Sequence, residues 1–142
     1  MPLTYLCTAA LRTWWAIFAL VWMMAGAAPA QEVDCTLAET QQDMNLCAAE
    51  DWQAADGLLN EAYGKAMKFM KAIDADLPAA DQGAALNLRN SQRAWIEFRD
   101  AACAAEGYLM YGGSAAPLRI YGCMTRLTAA RTAELQQLSQ TY

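Results

Sequence analysis

Residues 40–78 read TQQDMNLCAAEDWQAADGLLNEAYGKAMKFMKAIDADLP. Within them Met44, Ala48, Trp52, Ala55, Leu59, Ala62, Ala66, Met70 and Ile73 recur at steps of three and four, the spacing that lays side chains along one stripe of an α-helix. Thr40, with Asp43 three positions on, supplies a capped start, since each side chain can satisfy an otherwise orphaned amide. Glu61 and Lys65 stand one turn apart on the outer side and are expected to pair. Pro78 disfavours helix at the residue before it, so the segment ends within 74–78.

Downstream, a second helix is expected from about Pro78 or Asp81 to Glu106, with Gly107 as its stop. Leu88, Trp95 and Ala102 are spaced by seven, with Ala94 and Phe98 beside them as its apolar side. A third helix begins near Ala116-Pro117, proline being well tolerated in a first turn. Its apolar side is Ile120, Met124, Leu127, Leu135 and Leu138. No run of alternating β-branched residues appears, so no sheet is expected. The spacing therefore predicts an all-α domain of three helices, the first two forming an antiparallel hairpin. Residues 107–117 are its one substantial loop.

Upstream lies an export signal. Arg12 is the only charge in residues 1–30, and residues 14–24 form an unbroken apolar run. Ala28-Pro29-Ala30 then matches the A-x-A cleavage pattern, leaving Gln31 as the mature N-terminus and 31–142 as one domain. An uncleaved anchor would need roughly 20 apolar residues, which the run supplies only if the stretch before Arg12 is recruited. Neither Cys7 nor Cys35 sits where a lipoprotein cysteine would, so no membrane anchor is expected after cleavage. Past residue 30 there are nine basic and fifteen acidic side chains. Nucleic acid and anionic lipid are poor partners for such a surface; it would suit a cationic partner, although on composition alone the modest negative charge is accounted for by solubility.

Four cysteines follow the signal: Cys35, Cys47, Cys103 and Cys123. An even count in a small exported domain reads as a disulfide frame. The preferred pairing is Cys35 with Cys47, clipping the lead-in to the first helix, and Cys103 with Cys123, closing the glycine-rich loop. The alternative joins Cys47 to Cys103, because an antiparallel hairpin brings those helix ends together. Neither couple has C-x-x-C redox spacing.

The chain contains no histidine, which removes Ser-His and Cys-His nucleophiles and histidine-ligated metals. Asp74, Asp76 and Asp81 lack the glycine and terminal glutamate of a calcium loop, and they read as a solvated turn. Glu97 and Asp100 share a helical face, but Arg93 and Arg99 stand beside them, so ion pairing accounts for them better than acid catalysis. Trp95 and Arg99, one turn apart, are expected to stack. No cofactor or metal is expected, and no catalytic residue. Binding is placed instead on the loop, where Tyr108 and Tyr111 flank apolar Leu109 and Met110 and precede Gly112, Gly113 and Ser114. Large aromatic groups on a stapled loop are the usual material of a protein interface, although the same residues would also serve to cover the core between helices two and three.

The chain resembles the LprI family, lysozyme-inhibitor-like small secreted domains of bacteria. The resemblance runs through Cys35, Thr40, Met44-Asn45, Cys47-Ala48, Asp56, Leu59-Asn60 and Tyr63. It continues through Gln92-Arg93-Ala94-Trp95-Ile96, Phe98-Arg99-Asp100, Cys103, Gly112-Gly113-Ser114, Cys123, Leu127-Thr128 and Arg131. It implies a helical, disulfide-stabilised, periplasmic or secreted domain that is not an enzyme. Its implied activity is occlusion of a cationic lysozyme-type muramidase. The alternative is an envelope interaction protein with a non-lysozyme partner. The family's lipoprotein lipobox is missing here, so tethering does not carry over.

Overall fold

Thr40 starts the first helix by a reciprocal cap. Its hydroxyl accepts from the Asp43 amide at 3.1 Å, satisfying a donor that the first turn leaves open, and donates to the Asp43 carboxylate at 2.7 Å, which fixes its orientation. The computed structural model describes residues 33–140; the expected signal segment, residues 1–30, lies outside them, and a unit boundary follows Glu32. From the cap, α1 (Gln41–Asp76) runs unbroken to Leu77, whose extended backbone, ψ 149°, meets Pro78. Ahead of it, the Thr36 amide and hydroxyl donate to the Asp34 carboxylate at 2.9 and 2.7 Å. These bonds, the hydroxyl's first, hold the Asp34 carboxyl below its usual range.

The second helix, α2 (Ala84–Gly107), starts later than the sequence predicts, because residues 78–83 are spent on a turn closed by Asp81 N to Pro78 O at 2.8 Å. Its N-cap, Gly83, has no side chain to offer. The cap comes from the previous helix: Asp74 accepts from the amides of Gly83, Ala84 and Ala85 at 2.8, 2.8 and 3.0 Å. Those donors, Ala85 first, hold its carboxyl below the usual aspartate range. The carboxylate expected to sit in solvent is thus the clamp of the α1–α2 hairpin.

Gly107 does not stop α2 by turning left-handed. Its φ is −60°, and the chain passes directly into a 3-10 turn at Tyr108–Met110. Glycine is needed there because a Cβ would lie 2.7 Å from Ile120 Cγ1, on the facing helix. The left-handed residue is Gly112, at φ 76°, which lets Gly113 N reach Met110 O at 2.9 Å. The third helix, α3 (Ala116–Leu138), opens with proline in its first turn.

The three helices form one bundle without strands among the described residues. α2 runs antiparallel to α1, and α3 returns antiparallel to α2 and therefore parallel to α1. Asn45, near the start of α1, accordingly donates to the Ser114 carbonyl just before α3 at 2.9 Å. The most extensive packing is α1 on α3. Leu59, Ala62, Ala66, Leu88 and Leu135 form the buried centre, with Tyr63, Met67, Met70 and Trp95 against it. Each fully buried leucine there contributes about 2 kcal/mol, from a core of few large side chains.

On the second and third helices the predicted faces hold in part: Leu88 and Leu135 are buried and Trp95 packs on the core, but other predicted positions are not buried. On α2 the buried positions are Leu88, Gln92, Arg99, Cys103 and Gly107, whereas Ala94 and Phe98 face solvent, Phe98 with 60 % of its surface exposed. On α3 they are Cys123, Thr128, Thr132 and Leu135, with Met124 and Leu127 half-buried and Leu138 exposed. Thr132 meets its burial by donating to the Thr128 carbonyl at 2.9 Å. The Glu61–Lys65 pair does not form among the described residues, where the ion pairs involve arginine only.

Candidate functional site

Two disulfides lie at the end of the bundle that carries the loop. Cys35 is bonded to Cys47 with Cα atoms 5.6 Å apart, and Cys103 to Cys123 at 5.4 Å. Cys103 and Cys123 are buried, so this bond is part of the α2–α3 interface. Glu106 adds a surface tie beside it, accepting from Arg126 at 2.6 Å and lying 4.0 Å from Arg119. On this staple stand Tyr108 and Tyr111, 71 % and 82 % exposed, their rings stacked at 5.5 Å and within 3° of parallel. Leu109 and Met110 between them are also exposed. The four side chains therefore project outward and leave the core between α2 and α3 to others. Gly112, Gly113 and Ser114 close the turn and are exposed as well.

A second feature has no counterpart in the sequence reading. α1 and α2 diverge enough to leave a groove of about 530 Å³. Its α1 wall is Trp52, Asp56, Leu59, Asn60 and Tyr63; its α2 wall is Arg89, Gln92, Arg93, Ile96 and Arg99. Arg99 anchors it. Its side chain is 7 % exposed, with Nη1 3.2 Å from Asp56 and Nε 2.9 Å from Asp100. Its guanidinium lies over the rings of both Trp52, at 5.6 Å, and Trp95, at 5.3 Å, a cation–π arrangement that favours the planar arginine head. Trp52 in turn stacks on Tyr121 of α3 at 5.8 Å, and its buried indole nitrogen has no hydrogen-bond partner among the described residues.

These contacts decide the fate of the paired carboxylates. Asp100 is an ion-pair partner of Arg99, while Glu97 and Arg93 do not pair among the described residues. The signal that would have found the groove was in the sequence: every lining residue except Trp52 and Arg89 is one of those carrying the family resemblance. What spacing alone does not show is that α1 and α2 bring them to one cleft.

Fold and site together define a small, disulfide-stapled helical domain with an aromatic loop at one end and an arginine-lined groove on its flank. The chain belongs to the LprI family, described as Lysozyme inhibitor LprI, whose model matches residues 34–135. It is 43 % identical over 112 residues to the uncharacterized protein R02472 of Rhizobium meliloti strain 1021, covering 77 % of this chain and 81 % of that protein. It is 30 % identical over 76 residues to the uncharacterized protein YecT of Escherichia coli K12, covering 49 % of this chain and 47 % of that one. No solved structure matches it. Among the described residues, no helix is long and apolar enough to cross a membrane.

Proposed function

We propose that this protein is an exported, non-catalytic binding module that blocks a cationic lysozyme-type muramidase, with residues 1–30 removed as its signal peptide. Membership of a family described as a lysozyme inhibitor carries the reading. The stacked Tyr108 and Tyr111 support it as the contact element. Aromatic side chains offer large area for little ordering entropy, and the Cys103–Cys123 bond limits the loop's freedom before the partner arrives. Fifteen acidic side chains against nine basic ones past residue 30 would steer the encounter with a basic enzyme. The two disulfides fit an oxidising, extracytoplasmic compartment.

A cell-wall clearing assay tests the reading. Purified protein in molar excess should slow clearing by at least one lysozyme type, more strongly at low than at high ionic strength. Undiminished clearing across several lysozyme types would sink it.

A further inference from the structure

The hydrogen-bonding capacity left open along the α1–α2 groove is strongly one-sided. Of the arginines in the described residues, Arg99, Arg119, Arg126 and Arg131 are ion-paired, and only Arg89 and Arg93 are not. Both line the groove, one turn apart on α2, where such side chains are neighbours. Between them Gln92 is buried, its Oε1 accepting from Arg131 Nε at 3.1 Å. Arginine only donates, which fixes the orientation of this amide, so Gln92 Nε2 keeps its donors unspent. On the facing wall Asn60 Nδ2 donates to Asp56 at 3.1 Å. An ionised carboxylate only accepts, so Asn60 Oδ1 is left as a free acceptor.

The supporting contacts hold this arrangement in place before any ligand binds. Asp56 is tied to Arg99, and Arg131 is held by Glu134 at 2.8 Å and Ser91 at 3.4 Å. A site whose polar groups are locked by their own partners loses little entropy on binding. The open groups are two guanidinium forks, one amide donor and, across the cleft, one amide acceptor. We propose that the groove binds an acidic peptide segment. Its carboxylates sit at Arg89 and Arg93, and one peptide unit lies between Gln92 Nε2 and Asn60 Oδ1.

Other ligand classes fit less well. A sugar stacks best on a broad, free indole face, and the groove's Trp52 ring is already engaged by Tyr121 and Arg99, leaving only the half-buried Tyr63. A small inorganic anion would leave the amide pair and the apolar Leu59 and Ile96 unused. The volume, about 530 Å³, lies within the range of about 300–1,000 Å³ that holds small ligands. None of the loop residues lines this groove, and its test uses no muramidase.

The test is a calorimetric titration of the purified protein with an N-acetylated tetrapeptide bearing two glutamates and a free carboxyl terminus. Tryptophan fluorescence is followed in parallel, since Trp52 lines the groove. Saturable binding is expected. Arg89→Gln and Arg93→Gln should each weaken it about tenfold, the scale of one charge-assisted fork. The thermal midpoint should not move, since both side chains are exposed and unpaired. The amidated peptide with glutamine for glutamate should bind at least about tenfold more weakly. Three results overturn the proposal: no saturable binding, binding indifferent to both arginine variants, or inorganic phosphate competing as tightly as the peptide.

Discussion

Arg99 of α2 reaches across 43 residues of sequence to place its Nη1 3.2 Å from Asp56 Oδ1 on α1. The two ends of this pair live in different surroundings, the Arg99 side chain 7 % exposed and that of Asp56 38 %. Removing the buried end should therefore cost more than removing the wet one. Arg99→Ala is expected to destabilise by about 3 kcal/mol, the lower edge for breaking a buried pair, because it also empties the space over two indole rings. Asp56→Ala should cost about 1 kcal/mol, since Arg99 retains Asp100 at 2.9 Å. Urea unfolding at constant slope measures both. Equal losses would mean that the pair, and not the stacking, dominates.

The disulfides close spans of 12 and 20 residues, for which chain entropy predicts nearly the same stabilisation, about 3 kcal/mol each. Their surroundings separate them. Cys35 is exposed, whereas Cys103 and Cys123 are buried. Under graded reductant the Cys35–Cys47 bond should open first, read by thiol alkylation and mass spectrometry. Cys103→Ser with Cys123→Ser should cost more than Cys35→Ser with Cys47→Ser, because it also buries two hydroxyls in the α2–α3 interface.

Glycines in two of the helices should respond to alanine with opposite signs. At Gly57 and Gly64 on α1 an added Cβ meets nothing within 4 Å, so helix propensity should stabilise each variant by about 0.5–1 kcal/mol. At Gly107 the same Cβ comes within 2.7 Å of Ile120 Cγ1 and 2.8 Å of Cδ1. Since Ile120 is β-branched and held in a helix, Gly107→Ala should lose about 1–2 kcal/mol despite the better propensity. Thermal denaturation of the three variants checks the sign of each.

Gly107 also shows where the sequence was legible and where it was not. Three helices, the Thr40 cap and the break at Pro78 follow from local rules that tertiary packing does not disturb. The full buried face of α2 does not: Leu88 and Trp95 lie inward as their spacing predicts, but that face is completed by Gln92 and Arg99, which a count of hydrophobic residues passes over in favour of Ala94 and Phe98. At about 100° per residue, Phe98 lies roughly 140° around the helix from Cys103. A cysteine committed to a disulfide marks the inward face, so Phe98 points away from it. The groove was hidden for a related reason. Its floor is set by Arg99 and Gln92, polar residues that composition assigns to the surface and that are buried only because α1 and α3 bring them partners. The cap on α2 escaped detection because its acceptor, Asp74, belongs to the preceding helix.

That cap gives the domain an acid-sensitive joint. The Asp74 carboxyl is held below its usual range by the amides of Ala85, Gly83 and Ala84. A group depressed in the folded state contributes its stability above the unfolded-state value, about 3.9 for aspartate. It loses that contribution as the pH falls through the lower folded value. Asp74→Ala should therefore lower the thermal midpoint at neutral pH. Below the depressed value the gap between variant and parent should close, because the parent carboxyl is by then protonated too. Midpoints measured from pH 7 down to pH 2 test this. A gap that persists undiminished to pH 2 would show that the loss comes from packing and not from the ionised cap.

The tyrosine pair separates binding from folding. Tyr108 and Tyr111 stack on each other and are largely exposed, so their loss removes little that holds the bundle together. The double variant Tyr108→Ala, Tyr111→Ala should cost less than about 1 kcal/mol of stability, the size of one exposed stack. Its effect on muramidase inhibition should be much larger, about 30-fold, because interface aromatics commonly account for about 2 kcal/mol or more of binding. Leu86→Ala is the matched control. Leu86 is likewise exposed and apolar, at 55 %, but lies in the first turn of α2, at the hairpin end opposite the loop. Inhibition that falls equally in both variants would move the contact off the loop, whereas a selective loss in the tyrosine variant, at unchanged stability, would assign it there.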